Sequence, residues 1–317
     1  MRLTDEVMRT ADECRDADIR QTMLTAAAGR FGLIPSTRPF QMSLNVTNSH
    51  IDVEVLDCLA ITRSGQLIDI QFDTRFTKPF ETSVSIPENE DVKEYLVTIC
   101  ATPDSWNETD GGLVETAYTI ALIPQNSLLP DDAMPIGRIV KDEEEWKEDN
   151  IYFVPPCLYV SSHRLMEELH QKFIDILRSI NEKTQAQLNT GARVAIASYW
   201  PLVQQVFIEA NTRHDILTPM ELLADVQRVI AAFTCACELD DALQLEDAET
   251  FKKFVQLPYN YQNAYLRIRQ GLGMCYAISE KVDKFSLLQI ENPQPIPQKK
   301  EEPQKIDPRR LWDGKCI

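Results

Sequence analysis

The chain has 317 residues, of which 44% are hydrophobic, so it can bury a substantial core without help from disulfides or metals. Its 32 basic and 49 acidic residues give a net charge of -17, which argues against nucleic acid and anionic membrane surfaces as partners. No apolar run approaches the ~20 residues that cross a bilayer, and the opening is too charged for a signal peptide, so we expect a cytoplasmic protein.

The first predicted element is a helix within residues 1–29, which are rich in helix formers as far as Gly29. Residues 30–156 then show short apolar–polar alternations separated by turn residues, as in 42–46 and 51–55. Several short strands at this spacing predict an antiparallel β-sandwich. Within it, Ser64 and Gly65 indicate a hairpin turn, because glycine reaches positive φ at no steric cost.

An acidic segment closes this β-rich part. Residues 142–149 contain six acidic side chains, a density of like charge that predicts a solvated connector. A last strand is predicted over residues 151–155, just after it.

Residues 157–290 show helical periodicity. Ser161 or Ser162 is predicted to cap the first helix, and Pro201 to lie in the first turn of the second. The third helix has the strongest start signal, a capping box formed by Thr218 and Glu221, and Asn260 is a possible cap for the fourth. Four helices joined by short connections predict a bundle. The residues predicted to face its interior or a trimer interface are Leu165, Leu169, Phe173, Leu177, Leu223, Val226, Ile230, Phe233, Ile268 and Leu272.

The last residues, 291–317, are predicted to be a disordered tail. From residue 293 onward the chain has five prolines, and its six basic and four acidic residues give +2 against -19 for the rest. Such a composition cannot bury enough apolar surface to form a core.

Few residues suggest a catalytic or metal-binding role. His163, Glu167 and His170 share one helical face, but the chain has no second Glu-x-x-His to complete a di-iron site, so a solvated or interfacial face is the simpler interpretation. Cys235 and Cys237 would diverge by about 200° on a helix and are predicted to be two buried small residues. We therefore predict no catalytic residue, no metal and no cofactor.

One segment is a candidate for partner binding. Phe31, Leu33, Ile34 and nearby Phe40 combine apolar side chains with loop formers at the proposed edge of the sandwich. Ordinary core is the simpler interpretation, and contact with another protein is the alternative.

Three stretches resemble a known family when they are taken together. They are IYFVPPCLYVSSHRLMEEL at 151–169, LTPMELLADVQRVIAAF at 217–233 and LPYNYQNAYLRIRQGL at 257–272. Their order and spacing resemble the sequence motifs of TssK, a baseplate subunit of bacterial type VI secretion systems, in which a strand and a double proline lead into the helices. The resemblance covers about residues 20–290.

The resemblance implies an α+β subunit that is not an enzyme. The β-sandwich, called the shoulder in this family, would bind the wedge proteins TssF and TssG. The helical bundle, called the neck, would form a homotrimer. A first helix with apolar residues on two faces agrees with such a second interface. The alternatives are a phage-tail-like receptor-binding or baseplate protein and, less favoured, a helical-bundle metalloprotein.

Two parts of the family pattern are not found. The usual opening motif is absent, so the first β element is expected to be missing from this sequence, and the tail stands where the C-terminal head domain usually follows. Leu311 and Trp312 are therefore candidates for docking to a membrane-anchoring component of unknown identity.

Overall fold

The computed structural model describes residues 5–72, 79–89, 91–108, 114–188, 194–239 and 248–285. These residues form a helix, two antiparallel sheets and a helical bundle, in that order. The strands are β1 (Gly32–Leu33), β2 (Gln41–Val46), β3 (His50–Ile61), β4 (Leu67–Gln71), β5 (Phe80–Ser85), β6 (Glu94–Glu108), β7 (Val114–Pro124), β8 (Ala133–Asp142) and β9 (Glu145–Glu148). The helices are α1 (Asp5–Ala26), α2 (Arg164–Leu188), α3 (Val194–Thr212), α4 (Pro219–Leu239), α5 (Ala248–Val255) and α6 (Ala264–Phe285).

The two sheets form the predicted sandwich. In the first, β2 and β5 flank the first half of β3, and β1 and β4 flank its second half, all antiparallel. The second sheet has the order β7-β6-β8-β9. Alternate residues of β3, namely Ile51, Val53 and Val55, are buried, as period-two patterning requires. Gly137 of β8 faces Leu44 of β2, so this small residue lets the sheets approach.

The hairpin at Ser64 and Gly65 is confirmed. Strands β3 and β4 pair with Ile61 opposite Leu67, and Gly65 has a φ of 81° in the connecting turn. Only glycine adopts that conformation without strain from a Cβ atom.

The prediction of a solvated connector is wrong. Residues 145–148 form β9, which pairs with β8 through a tight turn at Glu143 and Glu144. Strand geometry explains the difference: alternate side chains point to opposite faces, so Trp146 is buried against Tyr95 while its acidic neighbours face solvent.

The predicted last strand is also absent from the described segment 151–155. There the chain turns towards Pro155 and Pro156, which lack the N–H groups that a sheet ladder needs. The carbonyl of Pro156 instead accepts a hydrogen bond of 2.7 Å from the backbone N–H of Leu33.

Two of the predicted helix starts are wrong. Helix α2 begins at Arg164, and His163 takes the place of a serine cap, because its Nδ1 accepts the Leu165 N–H at 3.2 Å. Helix α3 begins at Val194, so Pro201 lies in its interior, at the cost of one backbone hydrogen bond. Buried Tyr199 and Val203 on either side hold the helix together there.

The other two helix starts are confirmed. At α4, the Glu221 N–H donates to Thr218 Oγ1 at 3.2 Å while the Thr218 N–H donates to Glu221 Oε2 at 2.9 Å, which is the reciprocal pattern of a capping box. The side chain of Asn260 accepts the Gln262 N–H at 3.0 Å and caps the short 3-10 turn that leads into α6. Helix α5 was not predicted.

The helical part packs as a bundle of α2, α3, α4 and α6, with α5 against α4. All the predicted bundle residues are buried apart from Leu165, which is half-buried. Both apolar faces of α2 are covered within one chain, since Met166 and Ile174 are buried as well as Leu169 and Phe173. The surplus apolar surface expected on α2 is therefore not left over for a second interface.

No helix among the described residues combines the length and apolar character that a membrane crossing requires.

Candidate interaction surfaces

A buried ion pair lies where the sandwich meets the bundle. Arg138 of β8 lies against Asp149, just after β9, with 6% and 8% of their side chains exposed. Nε of Arg138 donates to Asp149 Oδ2 at 2.8 Å, and its Nη1 donates to Asn263 Oδ1 at the start of α6 at 3.2 Å. Arg138 thus connects the second sheet to the 3-10 turn that leads into α6.

Aromatic side chains reinforce this joint. The rings of Phe31 and Tyr261 meet edge to face with centroids 5.1 Å apart, and the guanidinium of Arg63 lies 4.6 Å from the centre of the Phe31 ring. Such contacts add to the area that the rings bury. Phe31, proposed for partner binding, therefore packs between the two parts of this chain.

The other three candidates from that segment differ in exposure. Leu33 is 1% exposed and belongs to the core, whereas Ile34 is half-buried beside Leu158 and Ala27. Phe40 is half-buried, with its ring centroid 6.3 Å from that of His163. Their role in partner binding stays a prediction, and Phe40 has the most favourable position for it, since it lies outside the Arg138 joint. Leu311 and Trp312 lie outside the described residues.

The three residues considered for metal binding have separate partners. His163 caps α2, and burial lowers its pKa to about 4. His170 is buried, which lowers its pKa, and its Nε2 lies 3.1 Å from the Ala210 carbonyl. Glu167 is exposed and lies 3.7 Å from His214. Among the described residues, no three His, Cys, Asp or Glu side chains form a group that could hold a metal ion.

The prediction that both cysteines of α4 are buried is wrong. Cys235 is exposed and Cys237 is half-buried. Their different exposure follows from the divergence of side chains two residues apart on a helix. Buried thiols do occur elsewhere: burial raises the pKa of Cys58 and of Cys275 to about 12, which keeps both protonated at neutral pH.

A charged network holds α3 to α4. Arg213 and Arg228 each contact Asp225 at 3.0 Å, and Arg228 also contacts Glu209 at 3.0 Å. Burial raises the pKa of Asp225, while hydrogen bonds led by the one from Arg228 lower the pKa of Glu209. Asp225 is paired with two cations, as buried carboxylates usually are.

An open groove of about 530 Å³ runs between α2 and α6. These helices are parallel, since Ser179 meets Ser279 and, further along, Gln187 meets the carbonyl of Val282. The groove is lined by Lys172 and Ile176 of α2 and by Tyr265, Arg269, Gly273 and Tyr276 of α6, among others.

Neither the Arg138 joint nor the groove is predictable from a short sequence pattern. An arginine within the apolar run of β8 was a usable signal for a buried charge, but its partners Asp149 and Asn263 follow from the fold alone. Helix α6 also contains two glycines, Gly271 and Gly273, and close helix packing is the usual reason for glycine inside a helix. That interpretation holds for Gly271, whereas a Cβ atom at Gly273 would meet nothing within 4 Å.

Neither protein-family models nor curated proteins match this sequence. Several solved structures, in contrast, are similar to this chain. TssK from the type VI secretion system of EAEC, in complex with a nanobody, is 12% identical, with a TM-score of 0.56 over 84% of this chain and 68% of that one. A crystal structure of TssK is 13% identical, with a TM-score of 0.56 over 88% and 67%. A chain of the TssK-TssF-TssG baseplate subcomplex, from cryo-electron microscopy, is 12% identical, with a TM-score of 0.53 over 88% and 96%.

These similarities establish the fold. The chain has the architecture of TssK, antiparallel sheets followed by helices, as the three sequence stretches predicted. One of the similar structures is a chain of a baseplate subcomplex of a type VI secretion system.

Proposed function

We propose that this chain is a structural baseplate subunit of a type VI secretion system, without catalytic activity. The observation that carries the proposal is the similarity in fold to TssK over more than four fifths of the chain. Because fold alone does not determine function, support also comes from the three sequence stretches, which cover the passage from sandwich to bundle, most of α4 and the start of α6.

The proposed mechanism is mechanical coupling. The sandwich contacts TssF and TssG, as the composition of the similar subcomplex suggests, and the bundle connects the subunit to its own copies and to a membrane-anchoring component. The hydrogen bond between Arg138 and Asn263 supports this role, because it connects the second sheet to the turn that leads into α6. The subunit would work in the cytoplasm, at the inner membrane once assembled.

Trimer formation is the first expected consequence. Three chains of 36.2 kDa give a particle of about 109 kDa, which size-exclusion chromatography with light scattering measures directly. We expect that mass at micromolar concentration, with dissociation only on dilution. A 36.2 kDa particle that does not depend on concentration would contradict the trimer.

Binding of TssF and TssG tests the proposed role as a baseplate subunit. We expect the immobilised full chain to retain TssF and TssG that are produced from the same genome, and Phe40→Glu to reduce the amount retained by about tenfold, because a charge would replace an apolar contact. The matched control is Ile208→Glu, a charge placed on the exposed surface of α3. Thermal unfolding monitors the fold of both variants.

The two possible failures have different meanings. If the unaltered chain retains neither TssF nor TssG, the baseplate role is wrong. If the unaltered chain and both variants retain equal amounts, the role stands and Phe40 lies outside the contact.

A further inference from the structure

Two histidines from different elements lie side by side at the end of α3. His170 of α2 is 2% exposed, and its ring centroid lies 5.2 Å from that of His214, in the link between α3 and α4. The Nε2 atom of His170 lies 3.1 Å from the carbonyl of Ala210. Ala210 belongs to the last turn of α3, where carbonyl groups have no partner within the helix. A side chain of α2 therefore caps the end of α3.

This cap requires a neutral His170. Its Nε2–H donates to the Ala210 carbonyl, so in the neutral ring Nδ1 carries only a lone pair. Nδ1 is buried, and no residue in the described part of the chain forms a hydrogen bond with it. A second proton would make Nδ1 a charged donor without an acceptor among those residues. Burying such a donor is costly, so the cap and the protonated ring oppose each other.

The groups around His170 act on it in both directions. Burial lowers the pKa of His170 and outweighs the hydrogen bond to the Ala210 carbonyl, which raises it. His214 lowers this pKa further, and Glu167, one turn earlier on α2, raises it. His214 itself lies 3.7 Å from Glu167 and 3.1 Å from Asp215. Once His214 carries a proton, its charge therefore repels a second charge on His170.

We propose that His170 and His214 form an acid-sensitive latch, in which neutral His170 holds the end of α3 and protonation releases it. The window follows from the sign of the shift. An unfolded or open segment leaves His170 near the ordinary histidine pKa of about 6.5, whereas the closed segment holds it lower. The latch thus has its full stability above about pH 6.5, and each pH unit below that value favours opening by up to about tenfold.

The released segment reaches the passage between the sandwich and the bundle. Directly after the link, the carbonyl of Leu217 accepts the Val160 N–H at 2.7 Å, and Leu217 is buried. Val160 belongs to the short turn that precedes α2. Acid would therefore loosen the contact between this turn and the start of α4. The latch does not depend on the baseplate role, since all of its groups belong to one chain.

Hydrogen exchange of the full chain, followed by mass spectrometry, tests the latch. His170→Gln keeps an Nε2–H that can donate to the Ala210 carbonyl but takes up no proton. At about pH 5.5 we expect the peptide 207–217 to exchange about fivefold faster in the unaltered chain than in His170→Gln, and at about pH 7.5 equally fast in both. Comparing the two proteins at one pH removes the chemical exchange rate. His50→Gln, at an exposed histidine of β3, should behave like the unaltered chain at both pH values.

Titration of His170 in the unaltered chain is independent of any loss of stability in the variant. With ¹³C-labelled histidine, we expect its NMR signal to titrate with a midpoint below the ordinary value of about 6.5, and His214→Gln to raise that midpoint. A midpoint at or above the ordinary value would overturn the latch. So would equal exchange of the unaltered chain and His170→Gln at the lower pH, or a slowing by His50→Gln as large as that by His170→Gln.

Discussion

Replacing Asp149 with alanine is expected to lower the free energy of unfolding by about 3–5 kcal/mol, because it leaves the charge of Arg138 buried without its partner. The loss extends beyond the pair. Asp149 Oδ1 also accepts the Tyr152 N–H at 3.1 Å, and the guanidinium of Arg138 lies 5.5 Å from the centre of the Phe153 ring. The whole turn that leads from β9 towards the bundle depends on this carboxylate.

The matched control is Asp142→Ala, in the same hairpin. Its partner is Lys147 at 2.9 Å, but their side chains are 63% and 53% exposed, and pairs in water contribute at most about 1 kcal/mol. Urea unfolding followed by circular dichroism gives both values. Equal losses in the two variants would mean that burial does not determine the strength of the Arg138–Asp149 pair.

A double variant separates the pair from its surroundings. Arg138→Met combined with Asp149→Leu removes both charges, so it should cost less than Asp149→Ala alone. Part of the loss should remain, because Asn263 no longer receives the hydrogen bond that ties α6 to the second sheet. If the double variant is the least stable of the set, the unpaired charge is not the source of the cost.

The predictable parts of this fold are those encoded over a few residues. The start of α4 was predicted because Thr218 and Glu221, three positions apart, satisfy each other's backbone and side-chain groups whatever the rest of the chain does. The hairpin at Gly65 was predicted because glycine reaches positive φ without a steric penalty, which is a property of that residue alone. Such local chemistry is visible in the sequence.

The errors arise where packing between distant residues decides the structure. Alternation within β9 was hidden by its acidic residues, and Trp146 is the one inward position that marks it as a strand. Pro201 favours a helix start by local preference, yet α3 begins at Val194 and buried Tyr199 and Val203 flank the proline. Asn263 meets Arg138 across 125 positions, a contact that no short pattern encodes.

The two glycines of α6 show the same limit on a smaller scale. Gly271 and Gly273 are two residues apart, so they face directions about 200° apart around the helix. One is turned towards α4 and α5 and the other towards the groove. The sequence shows that both are glycines in a helix. Only the fold shows that Gly271 is closely packed and that Gly273 is not.

Valine at these two positions is expected to have opposite consequences. A Cβ atom at Gly271 would lie 2.5 Å from Val226 Cγ1 and 2.7 Å from Phe254 Cζ, and both of these side chains are buried and cannot retreat. Gly271→Val should therefore lower the free energy of unfolding by about 3 kcal/mol, at the upper end for an overpacked core. Gly273→Val meets no atom and should change stability by less than about 0.5 kcal/mol.

The comparison isolates packing because both variants make the same substitution in the same helix, so the change in helix propensity is shared. Urea unfolding measures the difference, and equal stabilities would contradict the close approach of α6 to α4 and α5. A stable Gly273→Val protein would also establish that Gly273 is not needed for folding.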